Sequence, residues 1–348
     1  MKYKISYSKL ILSIAGITAV SVAVFTLASC DGTNGKLHDE AEDNPAGIYR
    51  QYLSDIRQQD ELSFEGLTAC LKQWQTLRDS VAAHLQRDTM LHYNDPRKEC
   101  MMLHDSIRAE FSRLVLSRKR TYKDVLALKA QFSPYAGDTE LLRSAEEIRP
   151  FFASLDNRPA YRGNKEQILS AYRTLLAETL HRGIHRRSDL TGFIEKEDAV
   201  FRAFLARLQD LDETNTADIT RDTEKCCSEI FLAAGRKEIT YKEAMIYMGM
   251  RTGRRVIQNV RVCLDDIRQG EITAPRQAHA YIWMVLQPYA SLDGFCMALL
   301  SPRDKEELNR IAMETPSAFA VLHKVLESDT DRLEELPAML MEIFIASL

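Results

Sequence analysis

The sequence predicts an all-α protein, an irregular bundle or array of roughly twelve to fourteen helices. Three observations carry this. Apolar residues recur at three- and four-residue spacing along most of the chain, and sustained period-two alternation is absent. Glycine and proline are scarce, 14 and 10 in 348 residues, while Leu, Ala, Arg and Glu are abundant, which favours helix over sheet. Helix-start signals recur between the apolar stripes.

The first thirty residues read differently from the rest. Lys2, Lys4 and Lys9 precede an apolar run from Leu10 to Leu27, with no acidic residue before Asp31. A basic start, an apolar core and small residues before a cut are the marks of an export signal. The run is about 17 to 18 residues long, at the lower edge of what spans a bilayer, so length alone does not separate a leader from a membrane span. The cysteine at its end separates them, because a span needs no thiol there. Leu27-Ala28-Ser29-Cys30 resembles the lipobox of bacterial lipoproteins. The resemblance implies cleavage before Cys30, a diacylglycerol on its thiol and acylation (typically palmitate) of the new amine. Residues 1–29 are then a signal peptide, and the membrane is the partner of Cys30. Each buried CH2 of such chains contributes about 0.8 kcal/mol to anchoring.

Asp31 to Pro45 holds Gly, Asn, Asp and Glu with few apolar side chains, the composition of a tether rather than a packed element. The acidic residue after the cysteine resembles the tethers of many lipoproteins from Bacteroides and related groups. This implies display in the cell envelope, at the outer membrane rather than the inner. Residues 46–348 form the helical body.

Within the body, Cys100, Leu103, Ile107, Phe111 and Leu114 make one stripe. Ile168, Tyr172, Leu175, Leu176 and Leu180 make a second, and Leu190, Ile194, Phe201, Phe204, Leu208 and Leu211 a third. Thr121-Tyr122-Lys123-Asp124 and Thr240-Tyr241-Lys242-Glu243 place a hydroxyl three residues before an acid, the layout of a capping box. The sequences that follow them diverge at once, so a shared capping habit explains the pair better than a duplication. Pro96, Pro275, Pro302 and Pro316 suit first helical turns. Breaks are expected near 87–95, 133–138, 155–164, 183–188, 212–219, 235–239, 269–274 and 291–302. The body reads as one helical unit; 210–222 is the best candidate for a seam between subdomains and 155–164 the second.

Composition bounds the function. The chain carries 46 basic and 50 acidic residues, and the leader removes three lysines, so the body is mildly acidic and unsuited to nucleic acid. Six cysteines remain beyond Cys30, at 70, 100, 226, 227, 263 and 296. An exported protein can pair them, or they pack as buried free thiols. Their spacing matches no zinc pattern.

Two basic segments are candidates for chemistry. His181-Arg182-Gly183-Ile184-His185-Arg186-Arg187 puts two imidazoles four apart, but Gly183 between them reads as a helix end and the arginines repel a metal. Glu178 with His181 forms one E-x-x-H pair, and no second completes a di-iron set. Arg251, Arg254, Arg255, Gln258 and Arg261 share one side of a long helix starting near Thr240. Guanidinium forks suit carboxylates and phosphates, so Arg251, Arg254, Arg255 and Arg261 are candidate anion-binding residues. The alternative is a solvated face paired with Asp265, Asp266 and nearby glutamates. Tyr281, Trp283, Tyr289, Phe295 and the Met residues at 245, 248, 250 and 284 suit core filling better than a ligand pocket.

No nucleophile elbow, phosphate loop, H-E-x-x-H or dinucleotide fingerprint is present, so neither catalytic residues nor a metal or cofactor is expected. The leading expectation is a membrane-anchored envelope lipoprotein whose helical domain has an interaction or structural role. A binding module for an anionic or glycan ligand is second, and an enzyme with an unfamiliar site third. An exposed apolar groove favours a protein partner, whereas a deep pocket with convergent polar groups favours a ligand or an enzyme.

Overall fold

The structure is a computed structural model that describes residues 45–87, 95–132, 137–206, 213–270, 272–326 and 333–347. Cys30, the leader and the tether up to residue 44 lie outside the described residues. Thirteen helices and no strand are present among the described residues, in agreement with the all-α expectation. The chain divides into two compact units.

The first unit comprises the chain to Phe132, Tyr289–Ser291 and Leu326–Leu348. Its helices are α1 (Pro45–Arg57), α2 (Phe64–Arg87), α3 (Asp95–Leu116), α4 (Tyr122–Gln131) and, at the chain end, α13 (Leu336–Ser347). Pro45 takes the first helical position, where its missing N–H costs nothing. The α3 stripe is confirmed, since Cys100, Ile107, Phe111 and Leu114 are all buried. Phe111 meets the fully buried Trp74 at 5.8 Å between ring centroids. The Thr121 capping box forms as expected and opens α4. Lys129 of α4 is buried, and its ammonium donates to the carbonyls of Tyr289 and Ala290 at 2.6 and 3.1 Å. It thereby satisfies carbonyls of the last helical turn and the negative end of that helix's dipole.

The second unit comprises Ser133–Pro288 and Leu292–Val325. It holds α5 (Thr139–Leu155), α6 (Lys165–Arg182), α7 (Arg187–Leu205), α8 (Glu213–Gly235), α9 (Tyr241–Gln269), most of α10 (Pro275–Ser291), α11 (Gly294–Leu299) and α12 (Pro302–Leu326). The 29-residue α9 is the axis, and α5, α7, α8 and α11 pack around it. Its N-terminus carries the Thr240–Glu243 capping box, and its C-terminus stops at Gly270 in the left-handed conformation. Gly249 and Gly253 let α11 and Leu300 approach. A Cβ on Gly249 would stand 2.6 Å from Leu299, and one on Gly253 2.5 Å from Leu300.

Three expectations need correction. The chain does not divide near 210–222, because Glu213 already opens α8 inside the second unit. The polar run there lowers helix propensity, but Ile219, Cys226, Ile230 and Ala233 bury a common face that overrides it. Pro316 is not in a first turn but inside α12, between buried Ile311, Ala312, Ala318 and Phe319. Burial on both sides outweighs the hydrogen bond that proline removes. Leu180 leaves its stripe and is exposed, because α6 is closing at Gly183. Leu208 and Leu211 lie outside the described residues.

Proline also enters α10 at Pro288. It lacks the N–H that would bond the Met284 carbonyl, and the Asn259 amide of α9 donates to that carbonyl at 3.4 Å.

Candidate functional site

The arginine stripe is where the sequence placed it, on α9, but it is turned inward. Arg251 is buried and donates to both oxygens of Glu197 on α7, Nε to Oε2 at 2.6 Å and Nη2 to Oε1 at 2.5 Å. Burial pushes the Glu197 carboxyl up, but Arg251 and Arg255 outweigh it and hold the group below the usual carboxylate range. Arg255 lies over the Phe201 ring at 3.9 Å, donates to the Tyr172 hydroxyl and stands 3.4 Å from Glu197. Arg254 donates to Asp198 at 2.6 Å and pairs with Asp156. Asp198 also accepts from Arg202 at 2.9 Å and from Gln258 at 3.1 Å.

Further along α9, Arg261 donates to Glu307 at 3.0 Å and Glu314 at 2.8 Å, both on α12. Arg268 donates to Glu314 at 2.6 Å. The alternative partners expected were Asp265, Asp266 and nearby glutamates. Asp265 stands 3.6 Å from Arg268, and Asp266 accepts from the Tyr281 hydroxyl at 2.8 Å. All four candidate anion-binding arginines therefore meet internal carboxylates on other elements. An external carboxylate or phosphate therefore competes with carboxylates already in place.

The His181–Arg187 segment is a helix end and a turn. Gly183 closes α6 with φ 72°, and the two imidazoles do not share a continuous helix. His185 Nδ1 lies 2.8 Å from Glu238 and Nε2 lies 2.7 Å from the Arg182 carbonyl. Both ring nitrogens thus face acceptors, an arrangement that the imidazolium satisfies with two donors. The Glu238 hydrogen bond, then the Arg182 carbonyl, raise the His185 pKa above its ordinary value. Arg236 binds Glu238 at 2.9 Å and Glu229 at 2.7 Å, which joins this turn to the end of α8.

The six cysteines among the described residues are free thiols. Cys226 Sγ lies 3.5 Å from the Leu176 carbonyl, and burial pushes its thiol up to about 12. Burial likewise raises Cys70, Cys100, Cys227 and Cys263. They are held as thiols, the unreactive form. Tyr281, Tyr289, Phe295 and Met250 are buried and fill core, as the sequence suggested.

The second unit carries a concavity that the sequence did not point to. A groove of about 700 Å³ runs between α6 and α7 and is open to solvent rather than enclosed. Ala171, Leu175, Ala199 and Val200 give its apolar floor, with half-exposed Tyr161 at one end. Glu166 and Glu178 edge it on α6 and Lys196 on α7. The connection before α6 makes one wall, pinned by the Tyr161 N–H donating to the Ala199 carbonyl at 2.9 Å. The Asn164–Gln167 capping box then starts α6 beside it. Small side chains at 171 and 199 keep the groove open, and only the fold-back of Tyr161 completes it.

No protein-family model, curated protein or solved structure matches this chain.

Proposed function

We propose that this chain is a lipid-anchored protein of the bacterial cell envelope whose helical body binds a protein partner. The observation that carries the reading is the open, apolar-floored groove between α6 and α7. Open apolar grooves with polar edges suit macromolecular partners, whereas small ligands are usually enclosed over most of their surface. The anchor half of the proposal rests on the lipobox-like Leu27-Ala28-Ser29-Cys30. Among the described residues no helix is long and apolar enough to cross a membrane. The anionic-ligand reading stays second, since Arg251, Arg254, Arg255 and Arg261 already meet carboxylates.

Two experiments test the two halves. Labelled palmitate enters the wild-type chain in growing bacteria and fails to enter Cys30→Ala; equal labelling of both removes the anchor. Native affinity purification of the tagged, lipidated protein after mild cross-linking recovers a partner in near-stoichiometric amount. Recovery of the chain alone, or turnover of an envelope polymer by the purified body, removes the interaction role.

A further inference from the structure

The groove is specific enough to describe its occupant. Glu166 and Glu178 are twelve residues apart on α6, so they stand about 18 Å apart along one edge, a little over three helical turns. Between them the α6 edge presents Ser170 and Thr174, both small and exposed. Small edge residues permit a helix axis to come within about 8–10 Å of α6 and α7. The charges on the two edges differ in sign. Among the described residues neither Glu166 nor Lys196 is in an ion pair, and Glu178 meets Arg182 only at 3.9 Å. Glu166 and Lys196 are solvated and Glu178 holds only this long, exposed contact, so a partner can pair with them at little cost, unlike the arginines of α9.

Resting on the interaction reading above, we propose that this groove receives one amphipathic helix of a protein partner. Its apolar stripe lies on Ala171, Leu175, Ala199 and Val200. Two basic residues about three turns apart meet Glu166 and Glu178, and an acidic residue meets Lys196. Tyr161 closes one end and takes an apolar anchor side chain. This is helix-in-groove recognition, with main-chain bonds already satisfied inside the ligand and side chains supplying affinity and register.

The test uses the full lipidated protein in its own cells. A photo-cross-linking amino acid is placed at Ser170 or Thr174, and the captured peptide is sequenced by mass spectrometry. The expected capture is one peptide with apolar residues at three- and four-residue spacing and two basic residues eleven or twelve positions apart, a spacing of about three turns. The double variant Glu166→Lys, Glu178→Lys lowers the yield about tenfold or more, roughly the loss of one or two charge pairs. Reversing the two basic residues of the partner restores it. Capture of lipid or glycan, a peptide without this pattern, or a yield indifferent to charge reversal overturns the proposal. Probes at Thr76 and Met313, outside the groove, separate the two claims. Capture of a protein only there removes the groove as the site and leaves an interaction role; capture at no position removes both.

Discussion

The arginine stripe of α9 and the groove between α6 and α7 are both charged helix faces in the second unit, and they have opposite fates. On α9 the charges are spent inside the molecule: Arg251 grips Glu197, Arg254 and Arg202 grip Asp198, and Arg261 bridges to α12. At the groove Glu166 and Lys196 face solvent over an apolar floor. A dense run of one charge is thus a poor guide to a binding face when a matching run of the other sign lies on a neighbouring helix. The α9 stripe also differs along its own length. Arg251 and Glu197 are almost fully buried, at 7% and 2% side-chain exposure, whereas Arg261 and Glu307 retain 24% and 25%.

That contrast sets the size of the expected effects. Glu197→Ala leaves a buried guanidinium without its partner and costs about 3–5 kcal/mol in urea unfolding. Replacing both partners with apolar residues, Arg251→Met with Glu197→Leu, returns most of it. A single-variant loss below about 1 kcal/mol would place the pair outside the core. Next in size is Gly253→Val, which forces Leu300 and α11 away from α9 and costs roughly 1–3 kcal/mol. Unchanged stability there shows that α11 shifts freely. At the half-exposed end, Glu307→Ala costs about 1 kcal/mol or less. A loss as large as at Glu197 would erase the distinction between the two ends.

The smallest effect is the pH response of the α6–α7 turn. His185 has a raised folded pKa, so its contribution is complete below the ordinary value of 6.5 and is lost as pH rises through the raised value. Glu238 has a lowered one, held down first by the His185 hydrogen bond, so its contribution fades as pH falls through that value. By NMR the His185 ring titrates above 6.5 and returns toward it in Glu238→Gln; a midpoint unmoved by that change contradicts the paired geometry.

Much of the fold is legible in the sequence because its signals are local. The breaks expected at 87–95, 133–138, 155–164, 183–188, 235–239 and 269–274 coincide with helix boundaries, the one at 291–302 holds the short α11, the one at 212–219 lies almost wholly inside α8, and both Thr-led capping boxes form. The connections at 58–63 and 117–120 carry no comparable sequence signal. The site was less legible, because its partners are distant in sequence. One signal was present: Glu197 and Asp198 fall between Ile194 and Phe201 on the apolar stripe of α7, where two acids are out of place unless cations meet them. The groove gave no such signal. Its wall depends on Tyr161 reaching Ala199, a contact that no periodicity encodes.

The measurement that tests the central claim most directly compares partner recovery from cells carrying Thr174→Trp, which fills the groove, with recovery from cells carrying Arg268→Glu at the exposed end of the α9 ladder. Both residues are exposed, so neither change reaches the buried core. The account predicts that the partner is lost with Thr174→Trp and kept with Arg268→Glu. The reverse result would contradict it and return the binding face to the arginines of α9.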